Sequence, residues 1–577
     1  MSSYLQNYQK WLNSSALSEE EKAELRAIEQ DDKEIEFRFT KGLSFGTAGL
    51  RGTMKVGMNA MNRHTVAHAT QGLASLIVAE GRQKDGVVIA YDCRNQGELF
   101  AKTSARVLAA NGIKVYLFDA LRPTPELSFA LRELKCVAGI NVTASHNPKE
   151  YNGYKVYWED GAQLPPEHAD AVCEQIDRSD IFSDVRLTDF DEALKEGLIE
   201  MVGAELDEKY LNAVRAQAVN PQAVAAVADD LRIVYTPLHG TGYRLVPEIM
   251  RRIGLVHLYT VEEQMRIDGN FPTVKKPNPE YPEAFTLGIE IADRVGSDLI
   301  IATDPDADRV GVMARTKDGT FTTITGNQMG ALLLDYIITA YKQTNTMPPN
   351  PYAVKSIVSS ELTTKICEKN GVKMHNVLTG FKFIGEVIKN YEKTGDGSFL
   401  FGFEESYGFL KGSFARDKDA ICAAMMLAEA AVVYAQQGKN LYDVLQEMYA
   451  MYGFYGESVK SYTLKGKEGL EKIAAAMETL RNAPMDTVGG VKVLSFEDLK
   501  KGTVLYSDGR LEKASLPSSN VLRFFLEEDC WLCVRPSGTE PKLKLYIGGK
   551  SDTAEGLDKR LAALMADADG HISELLK

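Results

Sequence analysis

The sequence predicts an α/β protein of several domains, and three observations carry that reading. Helical stretches alternate with short β-rich runs from about residue 60 to 210, which is the pattern of βαβ units on a largely parallel sheet. The same grammar restarts at Leu231 and again near Ala353, and each pass ends in a polar loop. A chain of 577 residues also exceeds what one hydrophobic core holds, so roughly three to five domains are expected.

Taken in order, Ala16-Leu-Ser-Glu-Glu-Glu-Lys22 opens a capped helix, because a serine hydroxyl and a glutamate three residues on can satisfy each other's amides. The first α/β pass has strands at Gly86–Asp92, Ile113–Phe118 and Val137–Thr143. The second runs from Leu231–Gly242 through Leu255–Val261 to Asp298–Asp304. The third has strands at Ala353–Ser359 and Ser398–Phe403. Ala420–Ala435 is apolar but carries Glu429 and is too short to span a bilayer, so it reads as a buried helix. After about residue 455 the grammar changes: two strands flank a turn at Val534–Lys542, and a helix from about 553 follows. Linkers are expected near 180–230, around the Pro-rich Met347–Tyr352, and near 455–460.

Hydrophobic residues make up 44% and charged residues 25%, which fits an ordinary globular protein. A net charge of −14 argues against nucleic acid or an anionic membrane as the main partner, so an anionic substrate needs local Lys and Arg. Seven scattered cysteines suggest reduced thiols, and the first residues lack the apolar run of a signal peptide, so a cytoplasmic location is expected. Cys530-Trp-Leu-Cys533 has metal or redox spacing but lies in an apolar run without a second pair, and reads as plain strand.

Four loops carry candidate chemistry. In Thr143-Ala-Ser-His-Asn-Pro148 an Asn-Pro turn lifts Ser145 clear of its strand. Such a serine is either a nucleophile or phosphate carrier, or simply a turn residue. His146 contacts a phosphate or packs, and Lys155 is an acid/base group, a phosphate contact or a solvated lysine. Arg51 is expected in a Gly-rich loop, Gly46–Gly52, whose amides would suit an anion. Asp304-Pro-Asp-Ala-Asp-Arg309 follows an apolar strand; three carboxylates at alternate positions repel unless a cation sits among them, and all-oxygen ligation suits Mg²⁺. Gly402-Phe-Glu-Glu-Ser-Tyr-Gly408 offers acceptors for sugar hydroxyls. Arg535-Pro-Ser-Gly-Thr-Glu-Pro-Lys542 combines a guanidinium, hydroxyls and a glycine turn into a phosphate cradle.

In order and spacing these loops resemble the α-D-phosphohexomutase superfamily over nearly the whole chain. Gly46–Arg51 and Asn152–Tyr157 look most like its phosphoglucomutase-2 branch of bacterial phosphoglucomutases and phosphopentomutases. The resemblance implies three related α/β domains (1–210, 211–325 and 326–455) and a smaller C-terminal α+β domain (456–577) around a central cleft. It implies that Ser145 is stored as phosphoserine and that Asp304, Asp306, Asp308 and the seryl phosphate hold Mg²⁺. Arg51, His146, Lys155 and Arg309 would surround the reacting phosphate, with Lys155 as general acid/base. Glu404 and Ser406 would grip the sugar, Lys382 in Thr379–Lys382 would bind substrate, and Arg535, Ser537, Gly538 and Thr539 would hold the second phosphate. Phe403 and Tyr407 depart from the pattern, standing where many relatives have Gly. The implied reaction interconverts glucose 1-phosphate and glucose 6-phosphate, primed by glucose 1,6-bisphosphate, in a monomer or small homo-oligomer. The alternatives are a phosphopentomutase and a glucose 1,6-bisphosphate synthase.

Overall fold

The computed structural model describes residues 2–46, 49–227, 231–537 and 541–577. The chain forms two compact units. One comprises residues 1–325, 385–395 and 406–440, and the other comprises 326–384, 396–405 and 441–577.

Two sheets organise the first unit. Strands β1 (Gly49–Thr53), β2 (Val87–Tyr91), β3 (Val115–Phe118), β4 (Ala138–Val142), β5 (Tyr151–Trp158) and β6 (Ile199–Val202) make a sheet of order β1-β5-β4-β2-β3-β6. The strands β4-β2-β3-β6 are parallel, and the expected strands lie among them. The chain then turns back, and β5 pairs antiparallel with both β4 and β1. Sequence reading missed this reversal, because the polar stretch Ser145–Tyr151 hides a strand that buries Tyr154, Val156 and Tyr157. Helices Arg63–Ala79 and Gly97–Ala110 cover the sheet, and Val87, Ile89, Ile140 and Val142 form the core with Leu73, Phe100 and Leu108.

Strands β7 (Arg232–Thr236), β8 (His257–Thr260), β9 (Leu299–Thr303), β10 (Val310–Arg315) and β11 (Phe321–Ile324) make the second sheet, with β8-β7-β9 parallel and β10 and β11 antiparallel. The serine loop and the Asp304 loop therefore both leave the carboxyl ends of strands in parallel ladders, where open α/β sheets place ligands. Ahead of both sheets, three short helices between Ser3 and Phe39 bury Tyr8, Trp11, Leu25 and Phe39 against Val56. The predicted cap is present: Ser18 and Glu21 form a reciprocal capping box on the helix Glu19–Ala27.

In the second unit, β12 (Pro351–Ser356), β13 (Lys373–Val377) and β14 (Ser398–Glu404) are parallel in the order β13-β12-β14. The C-terminal sheet is antiparallel; Phe454–Thr463 pairs with Lys542–Ser551, which pairs with Trp531–Pro536. The helix Ala554–Leu575 and the helix Gly466–Asn482 close its core around Leu480, Phe524, Leu545 and Leu564.

Two linker expectations are corrected. Residues 180–227 hold the helices Phe190–Lys195, Ala204–Arg215 and Pro221–Val227 and strand β6, and 455–460 lies inside the strand Phe454–Thr463. Both segments alternate polar and apolar residues around few buried positions, so they read as loop although they are ordered elements. Ala420–Ala435 is a helix with every residue through Val433 buried, and no described helix is long and apolar enough to cross a membrane.

Candidate active site

Ser145 is held in a strained turn. Its φ is 52°, in the left-handed region that costs a non-glycine residue roughly 1–2 kcal/mol, so the surrounding structure must impose it. The Thr143 hydroxyl accepts from the Ser145 amide at 2.8 Å and donates to Asp92 at 2.6 Å. Arg94 fixes the loop from beneath. Its buried guanidinium donates to the carbonyls of Ser145 (2.6 Å), Pro148 (2.9 Å), Tyr151 (2.9 Å) and Asn147, and lies 5.3 Å over the Phe271 ring. One cation thus replaces the regular ladder that this reversing chain lacks. Gly153 completes the turn: a Cβ there would stand 2.3 Å from the Thr143 carbonyl oxygen. Gly153→Ala is expected to cost about 1–3 kcal/mol, read as a lowered Tm.

The Ser145 hydroxyl donates to Asp304 at 2.7 Å and lies 3.1 Å from His146 Nδ1. Burial, then Arg309 and Arg51, keep the His146 imidazole well below its usual pKa and therefore neutral at physiological pH. The expected loop position of Arg51 is corrected: it lies within β1, in register with Gly153, because the β5 reversal recruits Gly49–Thr53 as an edge strand.

Asp304, Asp306 and Asp308 are all buried, with one oxygen of each within 4.8 Å of the others. The loop is wound tightly: Ala307 has φ 49°, and Asp304 accepts from the amides of Asp308 (3.1 Å) and Arg309 (3.0 Å). Burial, then Asp306 and Asp308, push the Asp304 carboxyl well above the usual range. Lys155 lies 3.1 Å from Asp306, Lys418 lies 3.1 Å from Asp308, and Thr124 donates to Asp306 at 2.9 Å. Arg309 is turned by Glu280, at 2.5 Å. Even with these partners, Asp306 Oδ1 and Asp308 Oδ1 are buried without a hydrogen bond. Unpartnered carboxylate oxygens in a hard donor set are what a small divalent cation such as Mg²⁺ requires, and the residues fit it.

The remaining candidates belong to the second unit, apart from Ser406. Glu404 accepts from the Gly380 amide at 2.6 Å, which joins the end of β14 to the start of the helix Phe381–Thr394; Lys382 lies in the first turn of that helix and not in the expected loop. Phe403 is buried, and its ring fills the space a Cβ on Gly330 would need. Arg535 is the last residue but one of the strand Trp531–Pro536, opposite Lys544, and the Ser537 amide donates to the Lys542 carbonyl at 2.7 Å. Gly538 and Thr539 lie outside the described residues. Back in the first unit, Ser406 follows β14 in a turn, and Tyr407 stands at φ 65°, where glycine is the unstrained residue; its carbonyl accepts from Val310 at the exit of the Asp304 loop.

Comparison with known proteins fits this geometry. The four domains of phosphoglucomutase/phosphomannomutase match in order: the alpha/beta/alpha domains I, II and III over residues 42–181, 208–319 and 325–452, and the C-terminal domain over 470–567. The chain belongs to the phosphoglucomutase/phosphomannomutase family. Phosphoglucomutase of Staphylococcus haemolyticus is 38% identical over 90% of this chain and 92% of its own length. That of Staphylococcus aureus strain USA300 is 37% identical over 93% and 95%. Two crystal structures share the fold: pp63/parafusin, a phosphoglucomutase from Paramecium (TM-score 0.68, 18% identity, covering 92% of this chain and 95% of that one), and a phosphoglucomutase/phosphomannomutase family protein of Burkholderia thailandensis (0.64, 19%, 92% and 98%).

In this family member sequence reading missed several contributors to the site: Arg94, Thr124, Glu280 and Lys418. A signal existed for Arg94, since Asp92-Cys-Arg94 leaves the carboxyl end of β2 as Ser145 leaves β4. Thr124, Glu280 and Lys418 act across long sequence separations that local pattern does not reveal.

Proposed function

We propose that the chain is a phosphoglucomutase that interconverts α-D-glucose 1-phosphate and glucose 6-phosphate through phosphoserine at Ser145 and a glucose 1,6-bisphosphate intermediate. The observation that carries the proposal is the Ser145 hydroxyl 2.7 Å from Asp304 at the edge of the buried carboxylate triad. A phosphoryl group on that oxygen would complete the oxygen ligands around a cation held by Asp304, Asp306 and Asp308. Mg²⁺, when bound, neutralises charge on the oxygens of the transferring group.

The protein's own residues do the rest. Ser145 passes its phosphoryl group to the free hydroxyl of the sugar monophosphate; the P–O bond to Ser145 breaks as the bond to the sugar oxygen forms. Lys155 accepts the proton from that hydroxyl, the departing Ser145 oxygen takes up a proton and is again the hydroxyl that donates to Asp304, and Arg51, His146 and Arg309 line the phosphoryl group. The bisphosphate then turns end for end, and its other phosphate returns to Ser145. Glu404 and Ser406 accept hydrogen bonds from sugar hydroxyls in both orientations, Lys382 binds alongside them, and Arg535, Ser537, Gly538 and Thr539 hold the phosphate at rest. This division of labour goes with domains at 1–210, 211–325, 326–455 and 456–577. All seven cysteines are free, which suits the cytoplasm, where we place the enzyme.

Rates on glucose 1-phosphate and ribose 1-phosphate, with Mg²⁺ and glucose 1,6-bisphosphate present, test the sugar. Faster turnover of glucose 1-phosphate is expected, and a clear pentose preference would overturn the assignment. Lys155→Met is expected to lower kcat by about 10²–10⁴-fold in the same assay.

A further inference from the structure

A pocket of about 360 Å³ in the first unit is lined by Arg82, Arg132, Lys135, Lys389 and Arg416. Two of these cations are neutralised in place: Arg82 by Asp85 (2.7 Å) and Glu159 (2.8 Å), and Lys389 by Asp160 (2.8 Å). The other three share one carboxylate. Glu392 pairs with Arg416 and lies 3.9 Å from Arg132, while the exposed Lys135 has no side-chain partner among the described residues. Set against Asp85, Glu159, Asp160 and Glu392, the five cations leave one positive charge over, and it lies on the side of Arg132, Lys135 and Arg416.

The arginines are built into the wall, not draped over it. Arg416 is 2% exposed, and its Nε is buried without a hydrogen-bond partner. Both Arg132 and Arg416 donate to the Ser413 carbonyl, so two like charges converge on one oxygen. Burial, then the neighbouring Arg416, depress the Arg132 pKa, as expected where cations outnumber their counter-charges. Such a convergence is unfavourable in isolation, and it presents planar donor forks that match tetrahedral oxyanions.

We propose that this pocket is a binding site for a small phosphate-bearing anion, separate from the Ser145 loop. A phosphate monoester is close to a dianion at neutral pH, so that surplus attracts it and the two guanidinium forks can donate to its oxygens. The site also touches two elements that reach the carboxylate triad. Arg132 belongs to the helix Thr124–Glu133, whose first residue donates to Asp306, and Arg416 stands two residues before Lys418, which pairs with Asp308. Occupancy would therefore be felt at the Asp304 loop, and inorganic phosphate would act on turnover without competing for the sugar.

Crystals of the full chain soaked in sodium tungstate, with calorimetric titration of inorganic phosphate, test the site. An anomalous peak between Arg132, Lys135 and Arg416 is expected. Lys135→Glu, a surface change, should weaken one class of phosphate binding by about tenfold. Arg132→Gln should weaken the same class, with the KM for sugar phosphate unchanged in Lys135→Glu. Absence of a peak there while tungstate binds elsewhere, or titrations identical in wild type and both variants, would overturn the proposal. These readouts stand whether or not the chain turns over glucose phosphates.

Discussion

Ser145→Ala is expected to lower mutase turnover by roughly 10⁴-fold or more, because the account gives the phosphoryl group no other carrier. The loss must be separated from strain. Alanine at φ 52° keeps the left-handed cost of the native serine without the hydroxyl's bond to Asp304. Ser145→Gly removes that cost, since glycine occupies this region freely. Both variants should fold, bind the divalent cation more weakly and remain inactive. Full activity in either, measured with glucose 1,6-bisphosphate and Mg²⁺ present, would rule out the serine cycle.

Arg94→Met carries the second large effect. The substitution leaves the carbonyls of Ser145, Asn147, Pro148 and Tyr151 without their donor and strands Asp92 near Thr143. Breaking a buried charge pair by removing one partner costs about 3–5 kcal/mol, so a marked fall in Tm is expected. The pH dependence follows from Asp92. Burial lifts its pKa from 3.8 to about 6 although the Arg94 guanidinium pulls it down, and removing that cation lifts it further. A carboxyl whose folded pKa is raised contributes stability at low pH that is lost as pH climbs through that value. The deficit of Arg94→Met should thus be smaller at pH 5 than at pH 8, by chemical denaturation at the two values. Arg94→Lys should recover little activity, since a single ammonium cannot span carbonyls that a planar fork reaches together.

What the sequence revealed follows from how local each signal is. Strands β2, β4 and β9 are short apolar runs buried along nearly their whole length, and hydrophobic pattern alone marks them. The Asp304 loop was legible because carboxylates at alternate positions have few structural uses without a cation. Strand β5 was not legible. Its polar approach and its glycine mimic a loop, and the Arg94 contacts and the close packing at Gly153 that hold the reversal come from outside the local pattern. Arg51 moved with it, from an expected loop into β1. Lys418 was invisible for another reason: it reaches Asp308 from more than a hundred residues away, as Ser145 reaches Asp304 across |i−j| of 159. Tyr407 shows the converse: it stands where many relatives have Gly, and its φ of 65° is the backbone conformation that glycine adopts without strain.

The central claim is that Ser145 carries the phosphoryl group between turnovers. Mass spectrometry of the protein after incubation with glucose 1,6-bisphosphate and Mg²⁺, followed by hydroxylamine, tests it directly. One phosphate is expected on the peptide containing Ser145, stable to hydroxylamine and discharged by adding glucose 6-phosphate. A hydroxylamine-labile phosphate on the peptide containing Asp304, with Ser145 unmodified, would contradict it.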